Sequence, residues 1–150
     1  MKRLLLAAVV VFLATAPAAA RADQPVRVPV TVLPFFTSVC GYFLGVDVVT
    51  SNRVDTVYSD GSQTITGHLV LRVTHLDGGS KSIVLDASGP LFFTTNAGGS
   101  RMVTGTGNTV WVIDDAVYLV RGQATLVVNP DGTSTFSSTG YIENLCDTLR

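Results

Sequence analysis

The chain has 150 residues, 47% hydrophobic and 14% charged, with 14 Gly, 6 Pro and 2 Cys. That size and balance fit one folded domain and exclude a disordered or collagen-like chain. Beyond the first 22 residues, 7 basic side chains stand against 11 acidic ones, a net charge of −4 with no basic stripe, so nucleic acid is not an expected partner.

Residues 1–22 read as a secretory signal peptide: Lys2-Arg3, the apolar stretch Leu4 to Ala14, then Pro17 and Ala20-Arg21-Ala22. The mature chain is expected to be secreted and extracellular, with an N-terminal segment and first strand at 23–39 and a β-barrel domain at 40–150. No later apolar run approaches the roughly 20 residues of a spanning helix, so no membrane span is expected in the mature chain. Cys40 and Cys146 lie near opposite ends of the exported part. An even count in an oxidising compartment predicts a disulfide between them.

After residue 23 there is no helical periodicity; runs of Val, Thr, Ile, Phe and Tyr alternate with Gly and Asp. In chain order the runs predict strands at 27–33, 42–58 (bent), 63–76, 80–88, 91–96, 101–107, 109–113, 116–128 and 133–142. Turns are expected at Asp60-Gly61, Asp77-Gly78-Gly79, Asn96-Ala97-Gly98-Gly99, Asp114-Asp115 and Asn129-Pro130-Asp131-Gly132, whose residues tolerate tight reversals. Five hairpins make an antiparallel meander.

A two-residue turn at Asp60-Gly61 sets Thr56 opposite Ile65 and Val48 opposite Val73. One face then holds Val46, Val48, Val54, Ile65, Leu69, Leu71 and Val73, while Asp47, Arg53, Asp55, Thr64, Thr66, His68, Arg72 and Thr74 face outward. A three-residue loop at Asp77-Gly78-Gly79 adds Ile83, Leu85 and Ala87 to the inner face. Around Asp114-Asp115, Val110, Val112, Val117 and Leu119 share one side, and Trp111, Ile113, Ala116 and Tyr118 the other. That hairpin has two apolar faces. Closing the meander into a barrel of about eight strands removes its unpaired edges, and a Cys40 to Cys146 bond would bring first and last strands together; the alternative is a β-sandwich.

The segments Cys40-Gly41-Tyr42-Phe43, Asp60-Gly61, Thr74-His75-Leu76-Asp77-Gly78-Gly79-Ser80-Lys81-Ser82, Ala87-Ser88-Gly89-Pro90 and Asn144-Leu145-Cys146 resemble a family of small secreted actinobacterial proteins of unknown function. The resemblance covers most of the mature chain. It implies secretion, β architecture and pairing of the cysteines, and carries no activity or catalytic residue. At the level of pattern the meander also looks lipocalin-like, or like the allene oxide cyclase and dirigent barrels.

Little chemistry stands out. His68 and His75, seven apart on one strand, face opposite sides and cannot share a metal without a bulge between them; His68 is expected beside Arg53 and Asp55, His75 near the barrel end. No Gly-x-Ser-x-Gly elbow supports a hydrolase, Glu143 is the sole glutamate, and Gly105-Thr106-Gly107 lacks the Lys and Ser/Thr of a phosphate loop. No metal, cofactor or catalytic residue is expected.

The leading expectation is a non-catalytic barrel binding a small apolar or amphipathic ligand inside, lined by Val48, Leu69, Leu71, Val73, Ile83 and Leu85. Thr50 and Asn52 would supply its polar contacts. The rival is an extracellular interaction protein, an inhibitor or cell-envelope binder, presenting Trp111 and Tyr118 to a protein or glycan. A third reading is a cyclase- or isomerase-like barrel enzyme.

Overall fold

The computed structural model describes residues 24–77 and 81–150. The proposed leader at 1–22 and the Gly78-Gly79 turn lie outside the described residues. The strands are β1 (Val26–Pro29), β2 (Phe35–Thr37), β3 (Leu44–Ser51), β4 (Val54–Val57), β5 (Gln63–Thr66), β6 (Leu69–His75), β7 (Ser82–Asp86), β8 (Leu91–Thr95), β9 (Arg101–Ile113), β10 (Ala116–Val128) and β11 (Ser134–Asn144). A 3-10 turn, Val39–Gly41, precedes β3, and a short helix α1, Leu145–Leu149, ends the chain.

All pairings are antiparallel, and they form two sheets, β1-β4-β5-β8-β9-β10-β11 and β2-β3-β6-β7. Neither sheet closes. The expected barrel is therefore corrected to a sandwich-like pair of open sheets. Its cause lies in three interruptions, at Asn52-Arg53, Gly67-His68 and Ala87 to Pro90. The first two each divide an expected run between two strands of different sheets, and the third likewise separates β7 in one sheet from β8 in the other. Conversely, the runs at 101–107 and 109–113 join into the single strand β9.

Turn chemistry sets the registers. Tyr58 and Ser62 close a three-residue loop, with Tyr58 N donating to Ser62 O at 2.9 Å, Gly61 N donating to Tyr58 O at 3.0 Å and Gly61 at φ +82°. This is a turn followed by a left-handed residue, which glycine adopts without a Cβ penalty. The same pattern recurs at Asn96 to Ser100 and Asn129 to Thr133. With one more loop residue than expected, β4 and β5 slip by one, so that Thr56 faces Thr64 and Asp55 pairs with Ile65. A bulge between Val48 and Thr50 then restores parity, and Val48 meets Leu71, two residues from the expected partner. The hairpin sides expected around Asp77 to Gly79 and Asp114-Asp115 are as read: Val73 pairs with Ile83, Leu71 with Leu85, and Trp111 with Tyr118.

At one end of the molecule the four-stranded sheet packs on the tip of the β9–β10 hairpin. Leu44, Val73, Leu85, Val117 and Leu119 form one core there, closed by Leu145 and Leu149 of α1. Cys40 and Cys146 are disulfide-bonded, as expected, and fasten α1 to the 3-10 turn. Cys40 N donates to Asp115 O at 2.7 Å, and Tyr42 Oη donates to Cys146 O at 2.5 Å. Lys81 Nζ, 2.6 Å from Arg150 O, meets the carbonyl end of α1, where a cation is favoured.

Halfway along β10 and β11, Gly122 faces Gly140 at φ +150° and +112°. A Cβ on Gly122 would collide with Thr139 O, and one on Gly140 with Arg121 O. Only glycine fits this bend. Beyond it the seven-stranded sheet continues without the four-stranded sheet over it.

Candidate functional site

The residues expected to line a ligand cavity form part of the packed core. Leu71, Val73 and Leu85 are buried in one cluster with Leu145 and Leu149, and Val48, Leu69 and Ile83 pack against it. Thr50 and Asn52, expected on the inner face, are exposed, because the bulge and the break after Ser51 turn them outward. Asn52 Oδ1 accepts from His68 N instead.

The aromatic pair expected outside also moves. Trp111 is 6% exposed, and its Nε1 donates to Thr109 Oγ1 at 2.7 Å; Tyr118, opposite, is half-buried. Trp111 lies six residues from Gly105, about 20 Å along an unbent strand. Its Cζ2 nevertheless sits 2.8 Å from where a Gly105 Cβ would be, and its ring centroid is 5.5 Å from that of Phe136. Strand β9 therefore folds toward this side, which is concave, and Trp111 walls one end of it.

The middle of that concave side is apolar and open, with Gln63 in the row of Phe93 and the exposed Arg101 at its far edge. The register aligns Leu91 with Gly105 and Ala124, and Phe93 with Val103, Leu126 and Phe136. Only Trp111, Val120 and Ala124 are buried in this second cluster; Leu91, Val103, Leu126 and Phe136 around them are half-buried. Two polar atoms lie in the same cross-strand row as Gly105: Asp55 Oδ1 at the β4 end and Ser138 Oγ at the β11 end. Both are buried and unpartnered. Burial pushes the Asp55 carboxyl above the ordinary carboxylate value. This arrangement, apolar walls with a few polar atoms facing inward, is the usual make-up of a small-molecule site.

Sequence reasoning missed Ser138 and the Leu91 to Phe136 lining because it did not carry the β9–β10 alternation outward to β8 and β11, and it set Asp55 outward because the first hairpin has one more loop residue than expected. Arg53 was misplaced for another reason. Expected in solvent, it is 4% exposed and bonded to the neutral carbonyls of Ala87 (2.9 Å), Gly89 (3.2 Å) and Ile65 (3.4 Å). It fastens the seam where strands pass from one sheet to the other, and burial lowers its pKa.

The histidines do other work. His75 stacks on Tyr42 at 4.0 Å with Nδ1 3.1 Å from Leu149 O. His68 Nδ1 lies 3.0 Å from Ser88 Oγ rather than beside Asp55. Asp86 is near, but its Oδ1 accepts from Ser88 N, and Ser88 Oγ is engaged by Leu69 N at 2.9 Å. A hydrolytic triad needs the carboxylate on the histidine, so this trio is a strand-end bracket. Among the described residues, no group of three His, Cys, Asp or Glu side chains is placed to hold a metal, and no helix is long and apolar enough to cross a membrane.

No protein-family model matches the chain, and no curated protein or solved structure matches it either.

Proposed function

We propose that this is an exported, non-catalytic protein that binds a small amphipathic molecule on the concave side of the seven-stranded sheet. One observation carries the reading: an apolar, half-exposed sheet face walled by Trp111 and holding the unpartnered atoms Asp55 Oδ1 and Ser138 Oγ. Leaving such a face bare costs free energy in proportion to its apolar area, and a ligand chain would recover it. A hydrogen-bond donor on the ligand would satisfy Asp55. Export is supported by the charged, apolar and small-residue zones of residues 1–22 and by the disulfide.

Trp111 is the only tryptophan, so its emission reports this site alone. Titration with long-chain alcohols, amines and carboxylates should shift that emission saturably for at least one headgroup. Phe136→Arg should abolish the shift while the variant remains folded by circular dichroism. Absence of any saturable change with all three headgroups, or a change that survives Phe136→Arg, overturns the assignment.

A further inference from the structure

The convex side of the same sheet has a different character. Below the Gly122–Gly140 bend, the register lines up Thr64, Phe92, Thr104, Thr125 and Ser137, one from each of five adjacent strands, with the buried Thr56 and then Arg27 continuing the row to the β1 edge. Two residues further along three of these strands come Thr66, Thr106 and Thr139 on the same side. The hydroxyls thus form a grid of about 4.8 Å between strands and about 6.7 Å along them. The Thr104 and Thr125 hydroxyls are themselves in contact at 3.2 Å.

Strand propensity favours threonine at exposed positions, but it does not exclude charge. Exposed sheet faces and edges ordinarily carry Lys and Glu, which keep chains from pairing. The four-stranded sheet follows that rule, with Asp47 opposite Arg72 and Asp86 opposite Val70 on its outer face. On the convex side of the larger sheet, below the bend, Arg27 is the only charged strand residue among those described. Phe92, 41% exposed, sits in the middle of the hydroxyl row. Beside Arg27 a shallow depression of about 400 Å³ is lined by Pro29, Val54, Thr56 and Thr66.

We propose that this face docks a neutral polysaccharide. The charge pattern selects the occupant: an uncharged grid of groups that both donate and accept hydrogen bonds matches a polymer of hydroxyls without carboxylate or phosphate. Phe92 offers a platform for the C–H face of one sugar ring, and Arg27 donates at the end where the depression holds another. The inference does not depend on the concave-side reading, because alternate residues of each strand serve the two faces.

The test is retention of the mature, disulfide-bonded protein on cellulose, chitin and insoluble starch, followed by titration with soluble fragments of whichever retains it. Phe92→Ala should weaken binding by about tenfold, and the pair Thr104→Val with Thr125→Val should weaken it with an unchanged melting temperature. Phe136→Arg, on the opposite face, should leave it intact. Failure to bind any neutral polysaccharide, binding only to an anionic polymer, inhibition of ice growth in its place, or retention indifferent to Phe92 and the threonines would each overturn the proposal.

Discussion

The two ends of this molecule are built from the same antiparallel ladder and differ in whether a second layer covers it. At the sealed end Leu44, Leu145 and Leu149 are at most 1% exposed, between the four-stranded sheet, the β9–β10 tip and α1. At the open end, side chains just as apolar, Leu91, Val103, Leu126 and Phe136, remain half-buried on a single sheet. Composition does not make the difference. The sealed end has the disulfide, the terminal helix and Arg53 at its border, so stability concentrates there, and the exposed apolar surface lies where no second layer covers the sheet.

The strongest way to break this comparison is to remove the bend that joins the ends. Gly122→Val places a side chain at φ +150° against the Thr139 carbonyl, and we expect at least about 4 kcal/mol of destabilisation, seen as loss of a cooperative urea transition. If the variant unfolds like the parent, the two ends are not rigidly coupled through β10 and β11.

Cutting the disulfide sharpens the contrast. Replacing Cys40 and Cys146 by Ala releases a cross-link spanning 106 residues and should cost about 2–5 kcal/mol. Hydrogen exchange should then show loss of protection at Val117 and α1 before the Gly105 to Thr125 ladder. Equal loss at both ends would make them one cooperative unit.

A matched pair of truncations comes next. Leu149→Ala, at a fully buried site, should cost about 2–4 kcal/mol, whereas Phe136→Ala, although the larger deletion, should cost about 1 kcal/mol because its ring is already half in water. A reversed order in denaturant midpoints would mean that something covers the open face.

The smallest effect is in pH. A carboxyl held above its ordinary 3.8 keeps its proton longer in the folded than in the unfolded chain, so Asp55 should make stability fall as pH rises through the window above 3.8. Asp60, Asp86 and Asp131, held low by hydrogen bonds from Ser62, Ser88 and Thr133, act oppositely, their contribution fading as pH falls below 3.8. Asp55→Asn should therefore melt higher than the parent at pH 7, with the gap narrowing toward acid. An unchanged gap between pH 4 and 7 would remove Asp55 from the buried face.

How much of this was legible follows the range of each interaction. The β class, the hairpins and the disulfide rest on local signals, namely turn residues, alternation and two cysteines. The sides of the β9–β10 hairpin were readable because Asp114 accepts φ +52° in a two-residue turn. The first hairpin was misread by a single loop residue, and one step of slip exchanged Asp55 for Val54 on the concave side. Closure was misread because it depends on where long runs break. The carbonyls that Arg53 holds belong to Ile65, Ala87 and Gly89, distant in sequence, and nothing around Arg53 itself announces them.

The bond between Cys40 and Cys146 also turns β3 to β11 into one covalent ring, with β1 and β2 outside it. A single nick by a protease within the ring releases no fragment, and tension applied between the chain ends runs through sulfur instead of through the ladders. Under load the first strands to yield are then β1 and β2. Since β1 is an edge of the open sheet, peeling it would bare the next edge at β4 and leave the sealed core standing.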